Sequence, residues 1–145
     1  PLGAMMAASL LSRCGGKASR GLIDVYPSQR KPKSVPLRLK RIAELLGIVA
    51  RYGGEEFVVV LPDTSVGGIL FVAEKLRHGV HCLAIPHSAS ERGFVTISVG
   101  IASAVPTRGL TPAALIDRAD RALYRAKQGG RDRVCRFDPD LDQPA

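Results

Sequence analysis

Apolar residues recur every three or four positions in three segments of the chain, which is the spacing of an amphipathic helix. The first segment covers residues 37–46. The second begins after Asp63 or Thr64, either of which can cap a helix, and continues to about position 80. The third opens at Thr111-Pro112, a capping residue followed by a proline suited to the first helical position, and closes at Gly129-Gly130. The pattern therefore predicts three helices.

Short runs rich in β-branched residues lie between these helices. Residues 48–51 and 57–61 flank a turn that contains two glycines, so they predict a β-hairpin. Residues 94–102 predict a core strand, and residues 133–137 predict a short final strand. Because strands and helices are interleaved along the chain, the sequence predicts an α/β fold in which helices flank a central sheet.

The two ends of the chain show little periodicity. Residues 1–4 precede the first methionine, so we interpret them as the remnant of a cleaved expression tag and leave them out of the predicted fold. Residues 5–36 form a segment rich in glycine, proline and basic residues, which predicts little regular structure except for a strand-like run at residues 22–26. Residues 138–145 are polar and predict a flexible tail. One folded domain is therefore expected over residues 37–137.

Composition describes an ordinary globular domain with an excess of positive charge. The chain has 46% hydrophobic and 23% charged residues and a formal net charge of +8. Such a charge suits an anionic partner, which could be a nucleic acid, a phosphorylated small molecule or an acidic membrane surface. A solvated basic surface explains it equally well, and no nucleic-acid-binding motif accompanies the basic residues. Nucleic acid is therefore an unfavoured partner.

The three cysteines are odd in number, far apart and without the spacing of metal ligands. Neither a disulfide framework nor a zinc site is favoured, and a reducing compartment follows, most simply the cytoplasm. The apolar stretches are far shorter than the roughly 20 residues of a membrane-spanning helix. We therefore expect no membrane segment in this chain.

Two glycines and two glutamates occupy the predicted hairpin turn. Gly53 and Gly54 permit a close approach of the backbone to a ligand, and Glu55 and Glu56 follow them at the tip. Adjacent carboxylates at a tight turn suit a hard cation that bridges nucleotide phosphates. The alternative interpretation is a solvated hairpin without chemistry, which is how such turns usually occur.

Lys127 and Arg131 form a second candidate site, four positions apart across the C-terminal end of the last predicted helix. Both could reach one triphosphate, the arginine through paired hydrogen bonds and the lysine as a point charge. Alternatively, they complement the negative end of the helix dipole. Asp24, a lone acidic residue in an apolar run, is the third candidate.

Several blocks of sequence, in a fixed order, resemble the GGDEF domain family. Arg-Tyr-Gly-Gly-Glu-Glu-Phe at residues 51–57 resembles the family's signature hairpin in its GGEEF form. Further matching blocks are Ala-Glu-Lys-Leu-Arg at residues 73–77, Thr-Ile-Ser-Val-Gly at 96–100, Ala-Asp-Arg-Ala-Leu-Tyr-Arg-Ala-Lys at 119–127 and Gly-Arg at 130–131. Several ordered blocks are a stronger signal than any one motif.

The resemblance implies the fold of nucleotidyl cyclases and polymerase palms and the activity of a diguanylate cyclase. Such an enzyme joins two GTP molecules into cyclic di-GMP with Mg²⁺ or Mn²⁺, each GTP being held by one subunit of a head-to-head homodimer. By this resemblance Glu55 binds the metal and helps to activate the 3′-hydroxyl, and Glu56 supports metal binding. The nucleotide-binding residues that it implies are Gly53, Gly54, Lys127 and Arg131.

The N-terminal part departs from the family's pattern. Leu-Ile-Asp-Val-Tyr at residues 22–26 resembles the strand that bears a further metal-binding aspartate, which makes Asp24 a candidate metal ligand together with the carbonyl of Val25 or of Ile23. The family's Asn-Asp-x-x-Gly-His-x-x-Gly-Asp stretch, which recognises guanine, is replaced by residues 28–36. The predicted sheet therefore either lacks an N-terminal element or recruits one from a second chain.

These departures leave two main hypotheses open. The first is an active diguanylate cyclase, which the intact hairpin and cationic residues favour. The second is a truncated module that binds GTP or cyclic di-GMP without efficient turnover. The positions of the family's Arg-x-x-Asp product-inhibition pair hold Glu44 and Gly47, so we expect no separate inhibitory site.

Overall fold

The computed structural model describes residues 3–10, 47–53, 55–88 and 90–142. Strands and helices are interleaved, and the predicted α/β class is confirmed. In chain order the elements are β1 (Gly3–Leu10), β2 (Ile48–Gly53), β3 (Glu56–Pro62), α1 (Val66–His81), β4 (Ile97–Ala104), α2 (Pro112–Gln128) and β5 (Val134–Arg136).

The strands of the described residues form one five-stranded sheet, in the order β2-β3-β1-β4-β5, at the centre of the fold. β2 and β3 form the predicted antiparallel hairpin, and β1 pairs antiparallel with β3 on one side and with β4 on the other. β5 completes the sheet parallel to β4. The hairpin and the final strand at residues 133–137 are thus confirmed, with the final strand two residues shorter than predicted.

β1 lies where the sequence predicted little regular structure. Gly3 and Ala4, which we had set aside as a tag remnant, and residues 5–10 of the next segment form the central strand. A strand whose two faces are both covered by helices, as those of β1 are, lacks the alternation that marks a half-exposed strand. The glycine and three alanines of β1 also have low strand propensity. Pairing with β3 and β4 outweighs that propensity. The predicted strand at residues 22–26 and helix at residues 37–46 lie outside the described residues.

α1 covers one face of the sheet. Its N-cap is Ser65, whose side chain accepts a hydrogen bond from the Gly68 N–H. The prediction that Asp63 or Thr64 caps this helix is therefore wrong. Thr64 instead donates its hydroxyl hydrogen to the Pro62 carbonyl. The core beneath α1 consists of apolar side chains that solvent does not reach, among them Val59, Leu61, Ile69, Leu76, Ile97, Val99 and Ile101.

α2 packs on the opposite face of the sheet. Alternate residues of β4 point to opposite sides, so Val99 and Ile101 face α1 while Gly100 and Ala102 face α2. The helix has Thr111 as its N-cap and Pro112 at its first position, as predicted. At Gly100 a Cβ would lie 2.1 Å from the Ala119 carbonyl oxygen and 2.3 Å from the Leu123 nitrogen. Glycine is therefore required here for α2 to approach the sheet.

The segment after β5 is anchored as far as the structure describes it, although the sequence predicted a flexible tail. Asp142 is 6% exposed. Its carboxylate accepts the Asp138 N–H at 2.8 Å and pairs with Arg125 of α2 at 3.3 Å. These partners are not visible in a polar, proline-containing sequence. No helix in the described part of the chain is long and apolar enough to cross a membrane.

Candidate functional site

The starts of β3, β4 and β5 meet at one edge of the sheet. Ser9 of β1 lies opposite both Glu56 of β3 and Ser98 of β4, and β5 runs parallel to β4 from Val134. The β2–β3 turn and the segment between α2 and β5 each immediately precede one of these strands. The fold therefore brings the hairpin turn and the end of the last helix to the same edge.

A contact between Lys127 and Glu56 joins the two candidate sites. The Lys127 ammonium, in the last turn of α2, lies 3.4 Å from Oε1 of Glu56, the first residue of β3. Their side chains keep 29% and 43% of their surface exposed. An ion pair at that exposure contributes at most about 1 kcal/mol to stability. Either group can therefore exchange its partner for a ligand with little loss of stability.

Space beside the hairpin backbone is open. Gly53 ends β2 and pairs with Glu56 across a local shift in register. A Cβ added at Gly53 would meet no described atom within 4 Å, so packing within the described part of the chain does not require glycine there. Glu55 lies in the turn and is partly buried. Gly54, the other glycine of the predicted site, lies outside the described residues.

Arg131 follows the end of α2 in a turn of unusual backbone conformation. Gly130, Arg131 and Asp132 have φ angles of 105°, 59° and 47°. All three lie in the left-handed region, which residues other than glycine disfavour. The Arg131 N–H donates to the Ala126 carbonyl at 3.1 Å, and the residue is exposed. That Lys127 and Arg131 hold one phosphate stays a prediction.

Asp120 is a residue of this region that the sequence did not single out. Partial burial raises the pKa of its carboxyl group, the negative charges of Glu56 and Asp117 raise it further, and Lys127 opposes them. Asp120 and Lys127 are seven positions apart on α2, which places them on one face of the helix and could have revealed the pair. Asp120 thus belongs to the same electrostatic environment as the hairpin carboxylate.

A shallow cleft of about 350 Å³ lies between the hairpin and α2. It combines apolar walls with three carboxylates, those of Glu56, Asp117 and Asp120. The remaining lining residues are Tyr52, Phe57, Val58, Ala113, Ile116 and Leu123.

The described residues supply part of the predicted metal site. Among them, no three His, Cys, Asp or Glu side chains converge on one metal position. Glu55 and Glu56 provide carboxylate oxygens, and Mg²⁺ commonly binds through one or two carboxylates together with substrate phosphates. The donor set therefore fits a hard cation that arrives with a phosphate ligand. The predicted ligands Asp24 and Val25 lie outside the described residues.

The sequence of the chain is similar to those of known proteins. A family model described as diguanylate cyclase, GGDEF domain, matches residues 33–133. The response regulator PleD from Caulobacter vibrioides is 43% identical over 101 residues, which make up 68% of this chain and 22% of that protein. The chain thus spans less than a quarter of the length of this relative.

Solved structures share the fold. The active GGEEF domain of a diguanylate cyclase from Vibrio cholerae matches with a TM-score of 0.62 at 23% identity, over 94% of this chain and 83% of that one. The GGDEF domain of DgcB from Caulobacter crescentus, in complex with c-di-GMP, matches with a TM-score of 0.61 at 20% identity, over 94% and 78%. The family model covers well over half of the residues of this chain, and the chain therefore belongs to the GGDEF domain family of diguanylate cyclases.

Proposed function

We propose that this domain condenses two GTP molecules into cyclic di-GMP. The observation that carries the proposal is the contact between Lys127 and Glu56, because it places a cation that can bind phosphate beside a carboxylate of the signature hairpin. Family membership supports the same activity in general. We further propose that two copies of the domain meet head to head, each holding one GTP, in the cytoplasm.

Each predicted residue has a distinct role in this proposal. Glu55 binds a divalent cation and helps to remove the proton from the ribose 3′-hydroxyl, and Glu56 supports the same cation. The open backbone at Gly53, together with Gly54, admits the nucleotide. Lys127 and Arg131 hold the phosphates, and Asp24 and the Val25 carbonyl complete the metal ligands.

The reaction needs positioning and charge neutralisation more than a covalent nucleophile. The 3′-hydroxyl oxygen of each GTP forms a bond to the α-phosphorus of the other. At each α-phosphorus the bond to the oxygen that bridges to the β-phosphate breaks, so that two pyrophosphates leave. When bound, Mg²⁺ or Mn²⁺ neutralises phosphate charge and lowers the pKa of the attacking hydroxyl. Lys127 contributes its charge by exchanging Glu56 for a phosphate oxygen.

The second candidate function is nucleotide binding without efficient turnover. It is favoured by the sequence of β1, the strand that pairs with β3. This sequence, Gly-Ala-Met-Met-Ala-Ala-Ser-Leu, contains no acidic residue, so β1 supplies no metal-binding carboxylate. The replacement of the guanine-recognition stretch by residues 28–36 points the same way, because a site that leaves the base edge unpaired loses discrimination.

Incubation of the domain with GTP and Mg²⁺, followed by quantification of cyclic di-GMP and pyrophosphate, separates the two functions. A cyclase yields both products in a ratio of one to two, whereas a binding module leaves GTP intact. The matched control is Lys127→Ala, which retains the hairpin carboxylates. Product formation that persists unchanged in this variant would contradict the proposed role of Lys127.

A further inference from the structure

The Asp132 carboxylate contacts three side chains from other parts of the fold, those of two arginines and one histidine. Arg77 of α1 donates to Oδ1 at 2.9 Å, while His81 of α1 and Arg92 of the α1–β4 connection each lie 3.1 Å from Oδ2. The Asp132 side chain is only 4% exposed. The ring of His81 also packs edge-on against Phe94, with ring centroids 5.0 Å apart. The Asp132 carboxylate is therefore held in one place by two separate elements.

Stability alone explains this cluster poorly. A carboxylate that loses its hydration needs partners, yet replacing a buried ion cluster by apolar residues is often neutral or stabilising. The position of the cluster offers a different explanation. Asp132 directly follows Arg131, an exposed cation at the sheet edge that also contains the hairpin turn.

The backbone links the two residues. Arg131 and Asp132, with φ angles of 59° and 47°, adopt a conformation that persists only where the surroundings hold it. The hydrogen bond from the Arg131 N–H to the Ala126 carbonyl holds one side of this turn, and the Asp132 carboxylate holds the other. Because the backbone conformation sets the Cα–Cβ direction, the anchor at Asp132 also sets the direction in which the Arg131 side chain leaves the turn.

We propose that Asp132 is a positioning residue for Arg131: its contacts with Arg77, His81 and Arg92 hold the left-handed turn that presents the Arg131 guanidinium to the phosphates of a bound nucleotide. This inference rests on the proposed function, since it takes Arg131 as a phosphate-binding residue. It gives α1 and the α1–β4 connection a part in nucleotide binding without any contact to the nucleotide.

A double-mutant cycle between Arg131 and Asp132 tests the proposal. The probe is α,β-methylene GTP with Mg²⁺, titrated calorimetrically, because its α,β bridge does not break in the reaction. We expect Arg131→Ala to weaken binding about ten- to a hundredfold, as the loss of a charge-assisted hydrogen bond does. Asp132→Ala should weaken it about two- to thirtyfold, the range for residues that act through another. The double variant should bind no more weakly than Arg131→Ala.

Two further variants separate positioning from general stability. Asp132→Asn keeps an acceptor oxygen and tolerates the left-handed conformation, so it should recover part of the affinity lost in Asp132→Ala. Asp142→Ala is the matched control, since it removes another buried, ion-paired carboxylate, whose partners are Arg125 and the Asp138 backbone N–H. It should lower the melting temperature and leave nucleotide affinity unchanged.

The outcomes are distinguishable. Unchanged affinity in Arg131→Ala would overturn the phosphate role of Arg131 and the inference together. Weakened binding in Arg131→Ala with unchanged or fully additive behaviour of Asp132→Ala would overturn the inference alone. If Asp132→Ala does not fold, Arg77→Gln and Arg92→Gln replace it, because each removes one cation from Asp132; both should weaken binding about two- to fivefold, and unchanged affinity in both would overturn the inference.

Discussion

Lys127 in the last turn of α2 and Glu56 at the start of β3, which are 71 positions apart in sequence, meet at 3.4 Å. Neither side chain is deeply buried, so the pair holds the fold together only weakly. A ligand can therefore recruit both ends of the pair: a cation attracts the glutamate and a phosphate attracts the lysine. On this basis we expect the loss of either side chain to weaken nucleotide or metal binding more than it lowers the stability of the fold.

The Lys127 ammonium provides the first prediction. Lys127→Ala should weaken the binding of α,β-methylene GTP about ten- to a hundredfold, because a charge-assisted hydrogen bond contributes roughly 1.5–3 kcal/mol. The free energy of unfolding should change by less than about 1 kcal/mol. Titration calorimetry and thermal unfolding of the same sample measure both. A loss of stability with intact affinity would instead indicate that Lys127 only complements the helix dipole.

Asp120 provides a prediction about pH. Its folded-state pKa is raised above the ordinary value of 3.8 by burial and by Glu56, so the folded state binds the proton more tightly than the unfolded state. Stability therefore falls as the pH rises from about 3.8 through the folded-state pKa, and the loss is complete above that folded-state pKa. Asp120→Asn should stabilise the domain at pH 7 by less than about 1 kcal/mol, with no gain below pH 3.8.

Asp63→Asn is the matched control for that experiment, because it removes the same charge from the turn before α1. Unfolding curves of both variants across this pH range measure the difference. A gain for Asp120→Asn that is independent of pH, or equal to that of Asp63→Asn, would show that only the net charge matters.

The contact between α2 and β4 provides a prediction about packing. Gly100→Ala should destabilise the domain by about 1–3 kcal/mol, because its Cβ would lie 2.1 Å from the Ala119 carbonyl oxygen and α2 must shift. Gly67→Ala, in the first turn of α1, meets no described atom within 4 Å and should stabilise by up to about 1 kcal/mol. Denaturant unfolding measures both. Equal effects of the two substitutions would contradict the close approach of α2 to the sheet.

Cyclic di-GMP provides a prediction about inhibition. Since Glu44 and Gly47 stand where the family's inhibitory pair is expected, any cyclic di-GMP that binds should compete with GTP at the hairpin. Titration of α,β-methylene GTP into the domain saturated with cyclic di-GMP should give a lower apparent affinity. Unaltered affinity, with both ligands bound at once, would reveal a separate site.

The sequence predicted the elements whose signals are local. The residue types themselves favour the observed conformation at three places: Thr111-Pro112, the glycines after α2 and the hairpin turn. The sequence locates all three correctly. β1 could not be predicted in the same way, because its place depends on pairing with β3 and β4. Local propensity for glycine and alanine argues against a strand, and the tertiary pairing overrides it.

The candidate site shows the same division. The motif blocks identified Glu56 and Lys127 individually, but only the fold shows that their side chains meet. Asp132 gave no sequence signal, because its partners Arg77, His81 and Arg92 lie 40 to 55 positions away. Long-range ion pairs of this kind follow from how α1 and the end of α2 are packed, which neither periodicity nor spacing encodes.

The decisive measurement is a calorimetric titration of α,β-methylene GTP into the domain with and without Mg²⁺, repeated for Glu55→Gln. If the hairpin carboxylates hold a cation that bridges nucleotide phosphates, binding should strengthen at least about tenfold with Mg²⁺, and Glu55→Gln should remove that gain with a nearly unchanged melting temperature. Glu91→Gln, at an exposed position in the α1–β4 connection, is the control and should retain it. Nucleotide affinity that is independent of Mg²⁺, or a Mg²⁺ effect that survives in Glu55→Gln, would contradict the assignment of this hairpin as the catalytic site.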